Sequence, residues 1–214
     1  MKADNIHPHG LDLSGLNPEM IAYYETAGWR AYYARDWLRV FGLMVLLIES
    51  QFHIPFPRSF LAALHIIRAS IAFVPHDHNL DAVQGHLERF YRLASSANGD
   101  AFDPRRAAEL ELRYWVIHRE LAEAPDADKR PLIESLAALH ALLFARTPTE
   151  LWASAESRAA AASAVDRITG RRSTDEAADW RRVEECLRRA YQQVKDAGRQ
   201  PAAPVAAAQQ SVGR

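Results

Sequence analysis

Cys186 is the only cysteine of the chain. It rules out an internal disulfide framework and a cysteine-based zinc site, and it fits a reducing, cytosolic setting. Net charge is also missing. The 26 basic and 27 acidic residues leave a formal −1, without the basic excess that a nucleic-acid-gripping face requires. Long apolar runs are lacking. The longest, Val40 to Ile48, broken only by Gly42, is far below the roughly 20 residues of a membrane-spanning helix. The opening MKADNIHPHG has no apolar core of a secretory signal. Glycine is scarce, at 9 of 214 residues, and no alternation of polar and β-branched residues bounded by turns reads as a strand. GxGxxG, GxxxxGK[ST], GxSxG and HExxH are all absent, which removes dinucleotide, P-loop, α/β-hydrolase and zincin readings.

What is present is helical spacing with start and stop signals. It predicts an all-α fold, a single bundle of about seven helices. Asn17-Pro18 is an N-cap followed by proline at the first helical position, and the helix it opens is expected to run to about His53. Its Val40–Ile48 stretch predicts a central helix, buried nearly all round. Pro55 and Pro57 separate it from a second helix, whose inner face is read as Phe60, Leu61, Leu64, Ile67 and Ile71. The loop His76–Asn79 leads to a third helix, stopped at Asn98-Gly99. Asp103-Pro104 opens a fourth, and a fifth carries Leu132, Leu136, Leu139 and Leu143. Capping boxes at Thr147–Glu150 and Ser173–Glu176 start the sixth and seventh. Residues 1–16 read as an N-terminal extension and 17–198 as the helical domain. Within it, 17–124 form a core bundle and 125–198 peripheral helices. Residues 199–214, with Pro201 and Pro204 and little apolar area, read as a disordered tail.

Paired carboxylates and imidazoles are the main candidates for chemistry. Glu49 and His53 lie four apart, and Glu111 and His118 seven apart, so each pair shares a helix face. Two helices that each offer a carboxylate and an imidazole follow the logic of metal sites in bundles, and such ligands suit non-haem iron or manganese. Glu25, Trp29, Tyr32 and Asp36 form one stripe, and with Tyr114 and Trp115 they are candidates for lining a ligand pocket. The tract His76-Asp77-His78 is a weaker metal candidate and Asp77 or Asn79 a candidate helix cap. His65 and His140 read as hydrogen-bonded core or boundary histidines. Cys186, beside Glu184 and Glu185, reads as unreactive.

These residues suggest an internal site for a metal or an apolar small molecule. The specific expectation is a metal-dependent oxidase or oxygenase using iron or manganese. One alternative is a non-catalytic module for haem, with His53 or His118 as axial ligand, or for another apolar ligand. Another is a structural protein that forms a homodimer through the outer faces of the second and seventh helices. No nucleic-acid partner and no transmembrane segment are expected, and the location is read as cytoplasmic.

Overall fold

The Asn17 side chain takes the Met20 N–H at 3.2 Å, and Pro18 occupies the first turn, so α1 (Pro18–Tyr33) begins where the cap-plus-proline signal places it. It does not continue to His53. Arg35 adopts a left-handed conformation (φ 58°), and the Asp36 side chain accepts the Arg39 N–H at 3.3 Å, which starts α2 (Trp37–Phe52) as a separate helix. Neither glycine nor proline marks this break; an arginine carries the strain that glycine usually carries.

The structure, a computed structural model, describes residues 9–76 and 79–199. Among them are eight helices, one more than the sequence suggests, and no strand. α3 is Arg58–Phe73, α4 Leu80–Ala97, α5 Pro104–Glu123, α6 Arg130–Phe144, α7 Trp152–Thr169 and α8 Glu176–Arg199. Asn79 caps α4 through the Ala82 N–H, and Asp103 caps α5 through the Arg105 and Arg106 N–H groups. Thr147 and Glu150 exchange the two bonds of a capping box ahead of α7. At α8 the cap is Asp175, which takes the Ala178 N–H at 2.9 Å. Gly198 does not close α8, because the helix continues through it to Arg199. The tail assigned to 199–214 therefore lies, beyond Arg199, outside the described residues, as do Asp77 and His78.

Each helix packs on the next in sequence, and α8 packs back on α1, closing the series into a ring. A strap formed by residues 10–16 braces it from one end. The Gly10 N–H donates to Ala101 O at 3.1 Å, the Leu11 N–H to Leu143 O at 2.8 Å, and Lys195 Nζ to Leu16 O at 2.8 Å. Gly10 is required there. Its φ is +73°, and a Cβ would lie 2.6 Å from the Phe144 carbonyl carbon.

Two helices depart from the expected burial. α2 is not buried all round: only Val40, Ile48 and Phe52 are buried, and Leu38 is 90% exposed. α3 is turned over. Its buried residues are the small Ser59, Ala62, Ala63 and Ala69, whereas Phe60, Leu61 and Ile71 stand exposed and Leu64 and Ile67 only half-buried. The alanines allow close packing on α4, whose Val83, Leu87 and Phe90 share their core cluster. Ile66 and Phe73 also pack on that core, while Phe60, Leu61 and Ile71 are left facing outward.

Candidate functional site

Where a bundle would ordinarily bury leucine, five helices here bring polar groups inward. Glu25 of α1 receives both terminal nitrogens of Arg158 of α7, Nη2 to Oε1 at 2.6 Å and Nη1 to Oε2 at 3.0 Å, and the Tyr191 hydroxyl of α8 at 3.0 Å. The fork-on-fork geometry is the strong form of an arginine–carboxylate pair. Beside it, Glu111 of α5 accepts the Tyr91 hydroxyl of α4 at 3.0 Å and Trp115 Nε1 at 2.7 Å. Desolvation raises the Glu111 carboxyl above its usual range, and Arg158 and the two donors oppose that rise. Burial works against charge on Arg158 as well, but Glu25 and the surrounding phenols keep it protonated well above its normal value. Burial also raises Tyr91, Tyr114 and Tyr191, so these phenols stay protonated.

Further along α5, His118 stacks on Tyr114, with centroids 5.9 Å apart and planes 7° apart, and its Nε2 lies 3.2 Å from Asp166 of α7. His140 of α6, with Nδ1 3.3 Å from Ser154 Oγ, is held neutral: burial, and after it Arg158, lowers it to about 3. At the α3–α4 contact the rings of His65 and His86 lie 5.8 Å apart. Desolvation lowers both, assisted by Arg89 and Arg68.

The sequence-derived candidates divide accordingly. Glu25, Glu111, Tyr114 and Trp115 come together in the interior. Glu49 and His53 do not join them. Glu49 accepts the Ser59 hydroxyl at 2.7 Å, and His53 forms the left-handed end of α2. Glu111 and His118 share α5 but serve different partners, Tyr91 with Trp115 in one case and Asp166 in the other. Trp29 packs on the α1–α7–α8 cluster, Tyr32 meets Tyr33 and Trp37 edge-on, and Asp36 is a helix cap. Among the described residues no group of three histidine, cysteine, aspartate or glutamate side chains is placed to hold a metal ion. Sequence reasoning missed Arg158, Tyr191, Tyr91 and Asp166. The available signal was Arg158, set directly before the run of alanines in α7.

Concavities lie elsewhere. A cleft of about 830 Å³ runs between the strap and the C-terminal ends of α6 and α8, lined by Asp12, Asn98, Arg146 and Lys195 among others. A smaller one of about 370 Å³, lined by Thr26, Arg30, Asp36 and Arg39, sits where α1 turns into α2.

The outward sides of α2 and α3 make the most distinctive surface. On α2, Leu38, Gly42 and Leu46 follow i, i+4 spacing. On α3, Phe60, Leu64, Ile67, Ile71 and, just beyond it, Val74 form one stripe. Phe41 and Phe60 join the helices, with centroids 4.7 Å apart. Eight of the twelve most exposed large hydrophobics among the described residues lie between Trp37 and Val74. Their exposures run from 42% for Leu46 to 90% for Leu38. At about 200 Å² for a free large side chain they present on the order of 900 Å² of apolar surface in total.

No helix among the described residues is long and apolar enough to cross a membrane. Comparison of the chain with protein-family models, with curated proteins and with solved structures yields no match.

Proposed function

We propose that this protein is a docking module whose working surface is the outward side of α2 and α3, held in shape by the ring of helices behind it. One observation carries the reading, the inversion of α3: its fully buried residues are three alanines and a serine, and Phe60, Leu61 and Ile71 face out. A helix whose large apolar side lies against water gains by covering it. The central polar network fits a supporting role. Its carboxylates are engaged by Arg158, Tyr191, Tyr91 and Trp115, and satisfied networks of this kind rigidify a core and specify its packing.

The oxidase reading has lost its ligand set, since Glu49 and His53 stand apart from Glu111 and His118, and iron or manganese is left with scattered donors. Haem and apolar-ligand binding rest on His53, His118 and the aromatic residues, of which Tyr114 and Trp115 are packed into the core. The homo-oligomer reading agrees with an apolar surface on the second predicted helix, which is α3.

A photo-crosslinking amino acid at Leu46, compared with one at exposed Arg182 on α8, tests the module. Adducts of an identified partner from position 46 and not from 182 are expected. Equal labelling at both, or none at 46 in cells, would remove the proposal.

A further inference from the structure

The occupant of this surface follows from its charges. α2 and α3 together carry three arginines, Arg39, Arg58 and Arg68, and one carboxylate, Glu49. Glu49 is engaged by Ser59. The pair of helices is thus formally +2 on a chain that is −1 overall, so the remainder is −3. The arginines are also free. Among the described residues, none of the six from Arg30 to Arg89 has a carboxylate within ion-pair distance, whereas ten of those from Arg92 onward do. Arg68 sits within the outer stripe of α3, between Leu64 and Ile71, and is itself exposed.

A second copy of this chain is a poor complement for such a surface. A two-fold contact sets the same patch against itself, so the exposed Arg58 and Arg68 of α3 would face their own copies, and each Arg68 would be drawn out of water with no acid to meet it, a costly arrangement. A layer that is apolar within and anionic at its surface matches both features. Leucine, isoleucine and phenylalanine enter the acyl boundary, and arginines extend along their stems to the phosphates. Trp37, 57% exposed at the start of α2, suits the headgroup level. The 16 residues of each helix span about 24 Å, less than a bilayer core of about 30 Å, so the helices lie in the interface and do not cross it.

From this we infer that α2 and α3 seat the protein on the surface of an anionic phospholipid bilayer, an assignment that rests on the docking reading and names its partner.

Flotation of the full chain tests it, with vesicles of phosphatidylcholine alone and of phosphatidylcholine mixed with phosphatidylglycerol. Binding is expected only to the mixed vesicles, and it should weaken as salt rises. Arg68→Gln and Arg58→Gln should each weaken partitioning about fivefold, whereas Arg181→Gln on exposed α8 leaves it unchanged. Leu38→Glu with Ile71→Glu should abolish binding while the far-ultraviolet spectrum stays helical. Equal binding to both vesicles would overturn the anionic assignment. No binding to either, together with a dimer by light scattering that Leu38→Glu splits, would overturn the lipid partner and leave the docking module standing. A monomer that ignores both vesicles and gives no adduct at position 46 would remove both.

Discussion

Replacing Arg158 by methionine is the sharpest test of the interior. The guanidinium makes two bonds to Glu25 and one to Tyr191, and Glu25 is only 5% exposed. Methionine fills most of the volume but leaves a buried carboxylate with the Tyr191 hydroxyl as its remaining donor. Breaking a buried pair from one side costs about 3–5 kcal/mol. In a chain of this size each kilocalorie moves the melting point by about 2–4 °C, so Tm should fall by roughly 6–20 °C. Glu25→Met alone should be costly for the converse reason, an unpaired buried cation. The double variant, which removes both charges, should be more stable than the two single losses imply when added. Urea unfolding of the four proteins, read by circular dichroism, gives the coupling energy. A loss below about 1 kcal/mol for Arg158→Met, the range of solvated pairs, or strict additivity in the double variant, would refute the view that these charges form a desolvated keystone. Arg188→Met, which breaks an exposed pair with Glu185, is the control and should leave the melting curve almost unmoved.

Other outcomes follow from single sites. His140 is held at about 3 in the fold against about 6.5 when unfolded, so the unfolded chain binds its proton first. The stability from neutral His140 is complete above about 6.5 and is lost as pH falls from there toward 3. His140→Leu should flatten that acid limb in melts taken across the window. Ser95 Oγ donates to Phe102 O at 2.6 Å and accepts the Phe102 N–H at 3.2 Å in a buried corner. Ser95→Ala should cost about 1–3 kcal/mol in urea unfolding. Two glycines predict opposite signs. Gly10→Ala, blocked by Phe144 and Ala145 backbone atoms and by its positive φ, should destabilise markedly. Gly42→Ala, with open space at its Cβ, should stabilise by about 0.5–1 kcal/mol through helix propensity.

Several helix starts with a side-chain cap were legible. Asn17, Asp103 and the Thr147–Glu150 box stand where local chemistry puts them. The break at Arg35 was not, because a non-glycine residue in the left-handed region leaves no mark in composition and Asp36 reads equally well as a surface acid. The orientation of α3 was misjudged for a different reason. The helix has a large apolar stripe and a small one, and sequence reports which side avoids water, not what will cover it. Close packing on α4 takes the alanines. Within the interior, Glu25 and Glu111 were recognisable as acids on aromatic faces. Arg158 lies 133 residues from Glu25, and nothing local to an alanine-rich helix announces a partner at that distance.

The closure of α8 onto α1 has a consequence for how the chain assembles. Leu13 rests on Gly198, and Arg146 holds the Gly198 carbonyl at 3.0 Å, so the two ends of the helical ring meet. Seven of the seams between helices are sequence-local, whereas the α1–α8 seam forms only after a loop spanning nearly the whole ring has closed, which slows folding more than it alters stability. A circular permutant that links residue 199 to residue 10 and opens at the turn 124–129 exchanges these roles. The α1–α8 seam becomes a short hairpin, and α5 must find α6 from afar. Its equilibrium stability should match that of the parent, while its order of events is rewritten.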